Sequence, residues 1–494
     1  MTPSPHAFHI QTFGCQMNAG DSDWLSRSLK TRGFVEVPFE MAGIHILNTC
    51  SIRDKAEQKV YSELGRIARY CKVNRIQGVT VCVGGCVAQQ VGEKLVRRFP
   101  QVRLIFGTDG VAAAPDAISR LVEEPHLRLR LLDFADSYEE RDKDWLDAAL
   151  GGSGDGIPAS AFVNIMQGCD NYCTYCIVPY VRGRQKSRGA TAVLDECRAL
   201  IQGGAREITL LGQNVNSYGQ DKGADGAGFA ELLLRVSELP GLARLRFVTP
   251  HPKDIAPEVI AAFAENTKLC PRLHLPLQSG SDRILKAMNR RYDTARYRDI
   301  VARLKMARPD IILTTDIIVG FPGETEEDFE ATMALMREIG FTSSFSFVYS
   351  DRPHAKAALL PGKVERRLAL DRLSRLQEWQ NQASDTVLTS MIGQESVVLL
   401  EGKSRLEQLL PEEDAEGGGG SRALTVDGGG VVPGAARLES WQGKTPEGFI
   451  VNVELEPRPE GRFAAGGWRG ALLPVRIEAA ARHSLKGRQA GTPW

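Results

Sequence analysis

The sequence predicts an α/β chain in three parts: an N-terminal parallel βα sheet, a central incomplete (βα)6 barrel and a small antiparallel β-barrel near the C-terminal end. Three observations predict it. Short apolar runs alternate with helix-patterned stretches in two regions, the order expected of parallel sheets built from βα units. A glycine-rich run, GGSGDGIP at Gly151–Pro158, separates those regions. From about residue 393 the texture changes to short strands divided by Gly- and Pro-rich turns, as in a small β-barrel.

In the first region FHIQTFG, GIHILN and VTVCVGG read as strands, followed by the helical stretches DSDWLSRSLKTRG, SIRDKAEQKVYSELGRIARY and VAQQVGEKLVRRF. Cys15, Cys50 and Cys86 each fall at or just after a strand end. They are spaced by about one βα repeat, roughly 30 or more residues. Parallel strands bring their carboxyl ends to one edge, where ligands usually bind, so three thiols remote in sequence share that edge. In the second region the strands are AFVNIMQ, EITLLG, RLRFVT, LHLPL, ILTTDIIVG and SSFSFVY. Stretches such as TAVLDECRALIQ, FAELLLRVSEL and TARYRDIVARLKM supply helices between them. Loops at the carboxyl ends of such strands carry the chemistry. In the third region ESVVLLEG, GFIVNVELE and GALLPVRIE are strands. The intervening PEEDAEGGGGSRALTVDGGG cannot build a core, which predicts a flexible insertion near 411–430.

A chain of 494 residues exceeds what one core usually serves. Its 43% hydrophobic and 25% charged residues suit a soluble globular protein. Lys plus Arg and Asp plus Glu both number 61, so bulk charge indicates neither a nucleic-acid nor a membrane partner, and any RNA contact must come from local basic surface. No apolar run reaches the length of a membrane helix, and MTPSPHAFHI lacks the basic start and apolar core of a secretory signal, so a cytoplasmic location is expected. In that compartment ten cysteines point to metal or redox chemistry rather than disulfides.

QGCDNYCTYC, Gln167–Cys176, sets Cys169, Cys173 and Cys176 within one loop. A structural zinc site usually has four protein ligands, commonly as pairs two residues apart. Three thiolates on a four-iron cluster leave one iron open to a substrate or cofactor. Cys71, Cys82, Cys197 and Cys270 are most simply packing thiols. Cys82, four residues before Cys86, would compete as a ligand only if it left the buried face of its strand.

The CxxxCxxC loop after AFVNIMQ resembles that of the radical S-adenosylmethionine enzymes. Tyr175 stands where that superfamily places an aromatic residue beside the cofactor. NTCSIRDKAEQKVYSELG, GCDNYCTYCIVPYVRGRQKSR, LLGQNVNSYG, LHLPLQSGSDRILKAMNRRY and TDIIVGFPGETEEDF resemble the signature stretches of the methylthiotransferase family, over nearly the whole chain. The resemblance implies an N-terminal methylthiotransferase domain over 1–127, a linker over 128–158, a radical S-adenosylmethionine core over 159–390 and a TRAM domain over 391–487. It further implies two 4Fe–4S clusters, with Cys169, Cys173 and Cys176 holding the one that binds and cleaves S-adenosylmethionine. Cys15, Cys50 and Cys86 would hold the auxiliary cluster, whose sulfur is methylated by a second S-adenosylmethionine and transferred.

The implied reaction is 2-methylthiolation of N6-isopentenyladenosine beside the anticodon. The expected partners are the tRNA anticodon stem-loop, a low-potential electron donor and an unspecified sulfur donor, with no membrane. Other family members act on threonylcarbamoyl-adenosine in tRNA or on a ribosomal-protein aspartate, and a non-catalytic iron–sulfur RNA-binding protein is the alternative outside the enzymes. NTCSIRDKAEQKV and GQNVNSYG favour the isopentenyl substrate. An adenine C2–H is not acidic, so a carbon radical rather than a side-chain base is required, and no catalytic side chain is expected. Gln213 and Asn214, at a strand's carboxyl end, are expected to contact S-adenosylmethionine. Arg182, Arg184, Lys186 and Arg188 are expected to meet RNA phosphates. Arg482 and Lys486, with Arg476, His483 and Arg488, would grip the RNA backbone from the small barrel. The chain departs from the family pattern at Gln185, where Glu is common, and at Pro353-His354-Ala355, where Pro-Gly-Thr is common.

Overall fold

The computed structural model describes residues 3–51, 56–142, 144–145, 157–221, 223–404, 438–457 and 467–494. The glycine-rich run up to residue 156 and the expected insertion at 411–430 lie outside them. The chain divides into two compact units, residues 1–152 with 160–383, and residues 153–159 with 384–494.

The first unit opens with a six-stranded sheet of β1 (Ala7–Thr12), β2 (Val35–Glu36), β3 (Ile44–Thr49), β4 (Thr80–Gly85), β5 (Val102–Phe106) and β6 (Leu129–Leu131). Its order is β2-β1-β3-β4-β5-β6 and every pair is parallel. β3 and β4 are buried at every residue, as central strands of a sheet covered on both faces must be. The helix expected from VAQQVGEKLVRRF is two, Cys86–Val91 and Glu93–Arg98, because Gly92 at φ 44° breaks it. Three strands went unforeseen. β2 is only two residues long, β5 follows a turn the pattern did not mark, and β6 falls inside the segment expected to be linker, where it forms the sheet edge.

The same unit contains β7 (Ser160–Asn164), β8 (Met166–Gln167), β9 (Lys186–Ser187), β10 (Glu207–Leu211), β11 (Arg244–Phe247), β12 (Arg272–His274), β13 (Ile312–Val319) and β14 (Ser343–Val348). All six expected strands are present and parallel, as β7-β10-β11 and β12-β13-β14, with Leu245 bridging to Leu269 between them. This is the incomplete (βα)6 barrel. AFVNIMQ is split, however, because its last two residues leave the barrel as β8 and pair antiparallel with β9. That small hairpin frames the cysteine loop. The helix Glu326–Ile339 begins with a capping box of Thr325 and Asp328, which accounts for part of the acidic run GETEEDF. Thr315 faces the helix Thr294–Ala307, where it meets Tyr297, so its neighbours Asp316 and Ile318 face the lumen.

The second unit contains β15 (Glu395–Lys403), β16 (Glu439–Lys444), β17 (Ile450–Leu455), β18 (Leu472–Ala481) and β19 (Ser484–Gln489), closed in the order β15-β16-β17-β19-β18. It is the expected small barrel with two departures: β16 and β19 were not among the three strands the sequence marked, and β17 and β19 run parallel while the other seams are antiparallel. A ring with an odd number of strands cannot alternate direction at every seam.

Candidate functional site: two cysteine trios on one unit

The first trio lies on the carboxyl edge of the N-terminal sheet. Cys15 is the N-cap of the helix Gln16–Thr31, Cys50 directly follows β3, and Cys86 opens the helix after β4. Gly14, at φ 104°, lets Cys15 approach Cys50: a Cβ there would lie 2.0 Å from the Cys50 Cβ. The Cys50 thiol donates to Cys15, and this bond, aided by the Arg182 charge, overcomes burial to lower the Cys15 pKa from 9.0 to about 6. Burial pushes the Cys86 thiol up, and Arg182 partly offsets it.

The second trio hangs in the loop between β8 and β9. Gly168, at φ 81°, starts it where a Cβ would meet the Arg184 carbonyl oxygen at 1.9 Å, and its N–H donates to Gln213 Oε1 at 2.6 Å. The Thr174 N–H donates to the Met288 carbonyl (3.0 Å), and Asn289 Nδ2 to that of Tyr172 (3.0 Å). Buried Arg290 donates from Nη1 to Cys173 Sγ (3.4 Å) and to the Tyr175 hydroxyl (3.3 Å). Tyr175 rests on the cluster of Ile284, Met288, Phe321 and Ala357. Burial raises Cys169 to about 11 and Cys176 to about 12. Such thiols ionise readily only when a metal takes the proton's place.

Both donor sets fit an iron–sulfur cluster. Each offers three thiols and no fourth cysteine, and no disulfide joins any of the ten cysteines. Among the described residues no three His, Cys, Asp or Glu side chains converge on a single ion. Cluster cysteines need not converge, since each binds a different iron. Cys82 is fully buried within β4 and burial raises it to about 12, which makes it a packing thiol.

The barrel's carboxyl edge carries a set of buried polar atoms with no partner among the described residues: Asn214 Oδ1, both amide atoms of Asn216, His251 Nε2 and Gln278 Oε1. Thr249 and Gln278 also hold positive φ, 59° and 70°. Unmade buried hydrogen bonds and strained backbone each cost about 1–3 kcal/mol, and they cluster where a ligand completes the site. Burial, with Arg290 nearby, lowers the His251 pKa to about 2, so the ring is neutral. Its Nδ1 accepts from the Lys253 N–H (3.2 Å), which leaves the proton on Nε2 as a donor. Of the two residues singled out from sequence, Gln213 secures the cysteine loop, while Asn214 Nδ2 binds Asp254 Oδ2 (2.7 Å) and its Oδ1 remains open. Asn216, His251 and Gln278 were missed. The signal was their position just beyond a strand's carboxyl end, in GQNVNSYG, VTPHP and PLQSGS.

The basic stretch after the cysteine loop is not the exposed RNA surface expected of it. Arg182 is 3% exposed, Lys186 pairs with Asp109 (2.5 Å), and Arg188 pairs with Glu196 (2.6 Å) and Glu140 (2.8 Å). Arg182 and Lys186 dock the loop onto the N-terminal domain, where Thr108 Oγ1 also donates to the Val181 carbonyl (3.0 Å), while Arg188 is held within the barrel by Glu196 and from the connecting segment by Glu140. Burial of a charge demands a partner, and apart from Glu196, eight residues beyond Arg188, these partners lie too far along the chain for local patterning to reveal. Arg184 alone of the four is exposed, 3.3 Å from Asp170. In the second unit Arg482 is exposed and Lys486 lies 3.3 Å from Glu454. Both family departures have structural counterparts. Gln185 donates from Nε2 to the Ser217 carbonyl (2.6 Å) and accepts from its hydroxyl (2.6 Å), and His354 adopts φ 67°, a conformation that suits the family's glycine.

Residues 163–336 match the Radical SAM superfamily, and residues 7–107 match the Uncharacterized protein family UPF0004. The tRNA-2-methylthio-N(6)-dimethylallyladenosine synthase of Oleidesulfovibrio alaskensis is 57% identical, covering 98% of this chain and 98% of its own. The protein of the same name from Lawsonia intracellularis is 49% identical over 97% of each chain. Among solved structures, the radical S-adenosylmethionine methyltransferase TsrM from Kitasatospora setae aligns with a TM-score of 0.51 at 15% identity, covering 72% of this chain and 75% of its own, a likeness of fold. With both trios assembled and that identity spanning nearly its full length, the chain belongs to the tRNA-2-methylthio-N(6)-dimethylallyladenosine synthase family of radical S-adenosylmethionine enzymes.

Proposed function

We propose that this enzyme converts N6-isopentenyladenosine beside the tRNA anticodon to its 2-methylthio derivative. The observation that carries the reading is the pairing of two separate three-thiol sites on one unit. Family membership narrows the chemistry to methylthio transfer on tRNA. When bound, two 4Fe–4S clusters and S-adenosylmethionine supply the carbon radical, the methyl group and the sulfur. Cys169, Cys173 and Cys176 would hold the radical cluster and Cys15, Cys50 and Cys86 the auxiliary one.

The chain's own residues bind, orient and shield. Gln213 and Arg290 fix the cysteine loop, and Tyr175 presents its ring beside the trio. Asn214, Asn216, His251 and Gln278 offer S-adenosylmethionine two kinds of partner: amide and carbonyl groups, and one imidazole N–H. On edge strand β14, Phe345 and Phe347 pair in register with the lumen-facing Asp316 and Ile318 and are half-exposed. They offer the adenine and its apolar prenyl tail a stacking surface that Arg182, Lys186 and Arg188 cannot. Arg184, Arg482 and Lys486 remain as contacts for phosphate. The domain division 1–127, 128–158, 159–390 and 391–487, the anticodon stem-loop as the recognised part of tRNA, a low-potential electron donor and a cytoplasmic setting belong to the same reading. No described helix is long and apolar enough to cross a membrane.

Nucleoside mass spectrometry of tRNA from a strain lacking its own methylthiolating enzyme tests the reading, with and without this gene. Appearance of the methylthio-isopentenyl nucleoside is expected. Persistence of the isopentenyl nucleoside alone, with soluble cluster-loaded protein present, would overturn the substrate assignment.

A further inference from the structure

Arg182 belongs by sequence to the radical site and by contact to the auxiliary one. It follows the short helix Val178–Val181 that leads out of the second trio, and its own N–H closes that helix on the Val178 carbonyl (2.8 Å). Its side chain crosses to the N-terminal sheet. Nη2 donates to Asn18 Oδ1 (2.9 Å) and lies 3.7 Å from Asp21 Oδ2, and the guanidinium also rests against the Cys86 thiol. Asn18 Oδ1 is itself 3.5 Å from Cys15 Sγ. Asp21 is held in turn by Arg141 and by Asn164 Nδ2 (3.0 Å), so the guanidinium is fixed from both domains. The side chain is 4% exposed, and its Nη1 has no partner among the described residues.

A buried cationic N–H without an acceptor is costly, more so than a neutral one. Asn18 and Asp21 hold this one against the thiols regardless. Cluster potentials respond to net charge and to hydrogen bonds onto sulfur, and groups outside the ligand set tune them.

We propose that Arg182 is a positioning residue of the auxiliary site: its guanidinium covers the face that the three thiols leave open, and its Nη1 donates to a sulfur of the cluster held there. The auxiliary site is therefore incomplete without a residue of the barrel. The inference rests on the two-cluster reading and concerns which residue sets the auxiliary cluster's electrostatics. The fixed positive charge favours the more reduced, more negative cluster, and its N–H fixes the orientation of the bound sulfur.

The test uses full-length protein reconstituted anaerobically, with Cys169, Cys173 and Cys176 all changed to Ala so that only the auxiliary cluster remains. In that background Arg182→Gln is expected to lower the midpoint potential seen by electron paramagnetic resonance and to remove an exchangeable-proton coupling to the reduced cluster. Arg182→Lys, which keeps the charge and loses the planar fork, is expected to retain most of the potential while still losing or moving that coupling. Should Arg182→Gln fail to hold iron, the Lys variant decides alone: an unchanged proton coupling would overturn the proposal. Unchanged potential and coupling in an iron-loaded Gln variant would do so too, leaving Arg182 as a strut between domains. The two-cluster reading fails separately, if the parent protein binds only one cluster's worth of iron and loses none on Cys50→Ala.

Discussion

Cys169, Cys173 and Cys176 hang from a single loop, whereas Cys15, Cys50 and Cys86 come from three successive βα units and meet only because their strands are parallel. Each trio is preceded by a glycine with positive φ, and each has one buried arginine against a thiol, Arg290 for the loop and Arg182 for the sheet edge. The arginines differ in origin. Arg290 follows the helix Asp282–Ala287 of the barrel that carries the loop, while Arg182 reaches the sheet edge from a different domain. A loop trio is thus shaped by local backbone contacts. An edge trio is placed by sheet register and depends on a neighbour for its charge.

The comparison breaks most sharply at the ligands themselves. Cys173→Ala is expected to abolish both the cleavage of S-adenosylmethionine and the methylthio product. Cys50→Ala should spare cleavage and abolish only the product. Chromatography for 5′-deoxyadenosine beside nucleoside mass spectrometry separates the two, and equal loss of cleavage in both variants would mean that the sites are not independent.

The glycines come next. Gly14→Ala places a Cβ 2.0 Å from that of Cys50, and Gly168→Ala places one 1.9 Å from the Arg184 carbonyl oxygen. Strained backbone alone costs about 1–3 kcal/mol, before the overlap is relieved. Each substitution is expected to lose its own cluster and keep the other. Iron content with Mössbauer or electron paramagnetic resonance signatures would show which. The Gly14 variant is expected to lose more, since Cys50 sits on the buried end of β3 and cannot retreat, whereas Gly168 lies in a loop.

A smaller contrast concerns the thiols before metal arrives. The Cys15 pKa is lowered from 9.0 to about 6, chiefly by the bond from Cys50, while burial raises Cys169 to about 11 and Cys176 to about 12. A depressed thiol pKa contributes stability that is fully present above 9 and is lost as pH falls through about 6. Alkylation follows the thiolate, so in metal-free protein Cys15 is expected to react with iodoacetamide at pH 7.5 and to slow below about pH 6. Cys169 and Cys176 should stay unreactive throughout that range. Peptide mass spectrometry across pH 5 to 9 reads all three, and Cys50→Ala should shift the Cys15 profile upward.

Elements with a strong period were legible in the sequence: six barrel strands and three N-terminal strands followed from apolar patterning, and spacing singled out both trios, whose roles as cluster ligands came from the family resemblance. What escaped was set by contacts distant along the chain. RGRQKSR reads as a basic loop until Asn18, Asp21, Asp109 and Glu140 are seen around it, and no local pattern reports that Arg182 lies in the interior. β8 and β9 are two residues each, too short for any period. His251 and Gln278 stand in turns whose composition suits an ordinary loop. Their unpartnered buried atoms exist only once the barrel is closed around them.

The slightest expected effect lies at His354, where the family's glycine is replaced. Its φ of 67° is a left-handed conformation that strains a residue with a Cβ by roughly 1–2 kcal/mol, so glycine would relieve it at the expense of a more flexible unfolded chain. The imidazole also lies 5.7 Å from the Tyr180 ring, on the helix that joins the second trio to Arg182. His354→Gly is therefore expected to raise stability by at most about 1 kcal/mol in thermal unfolding. If its midpoint falls instead, the Tyr180 contact outweighs the backbone strain, and the linker between the two trios is steadied by a side chain that the family pattern lacks.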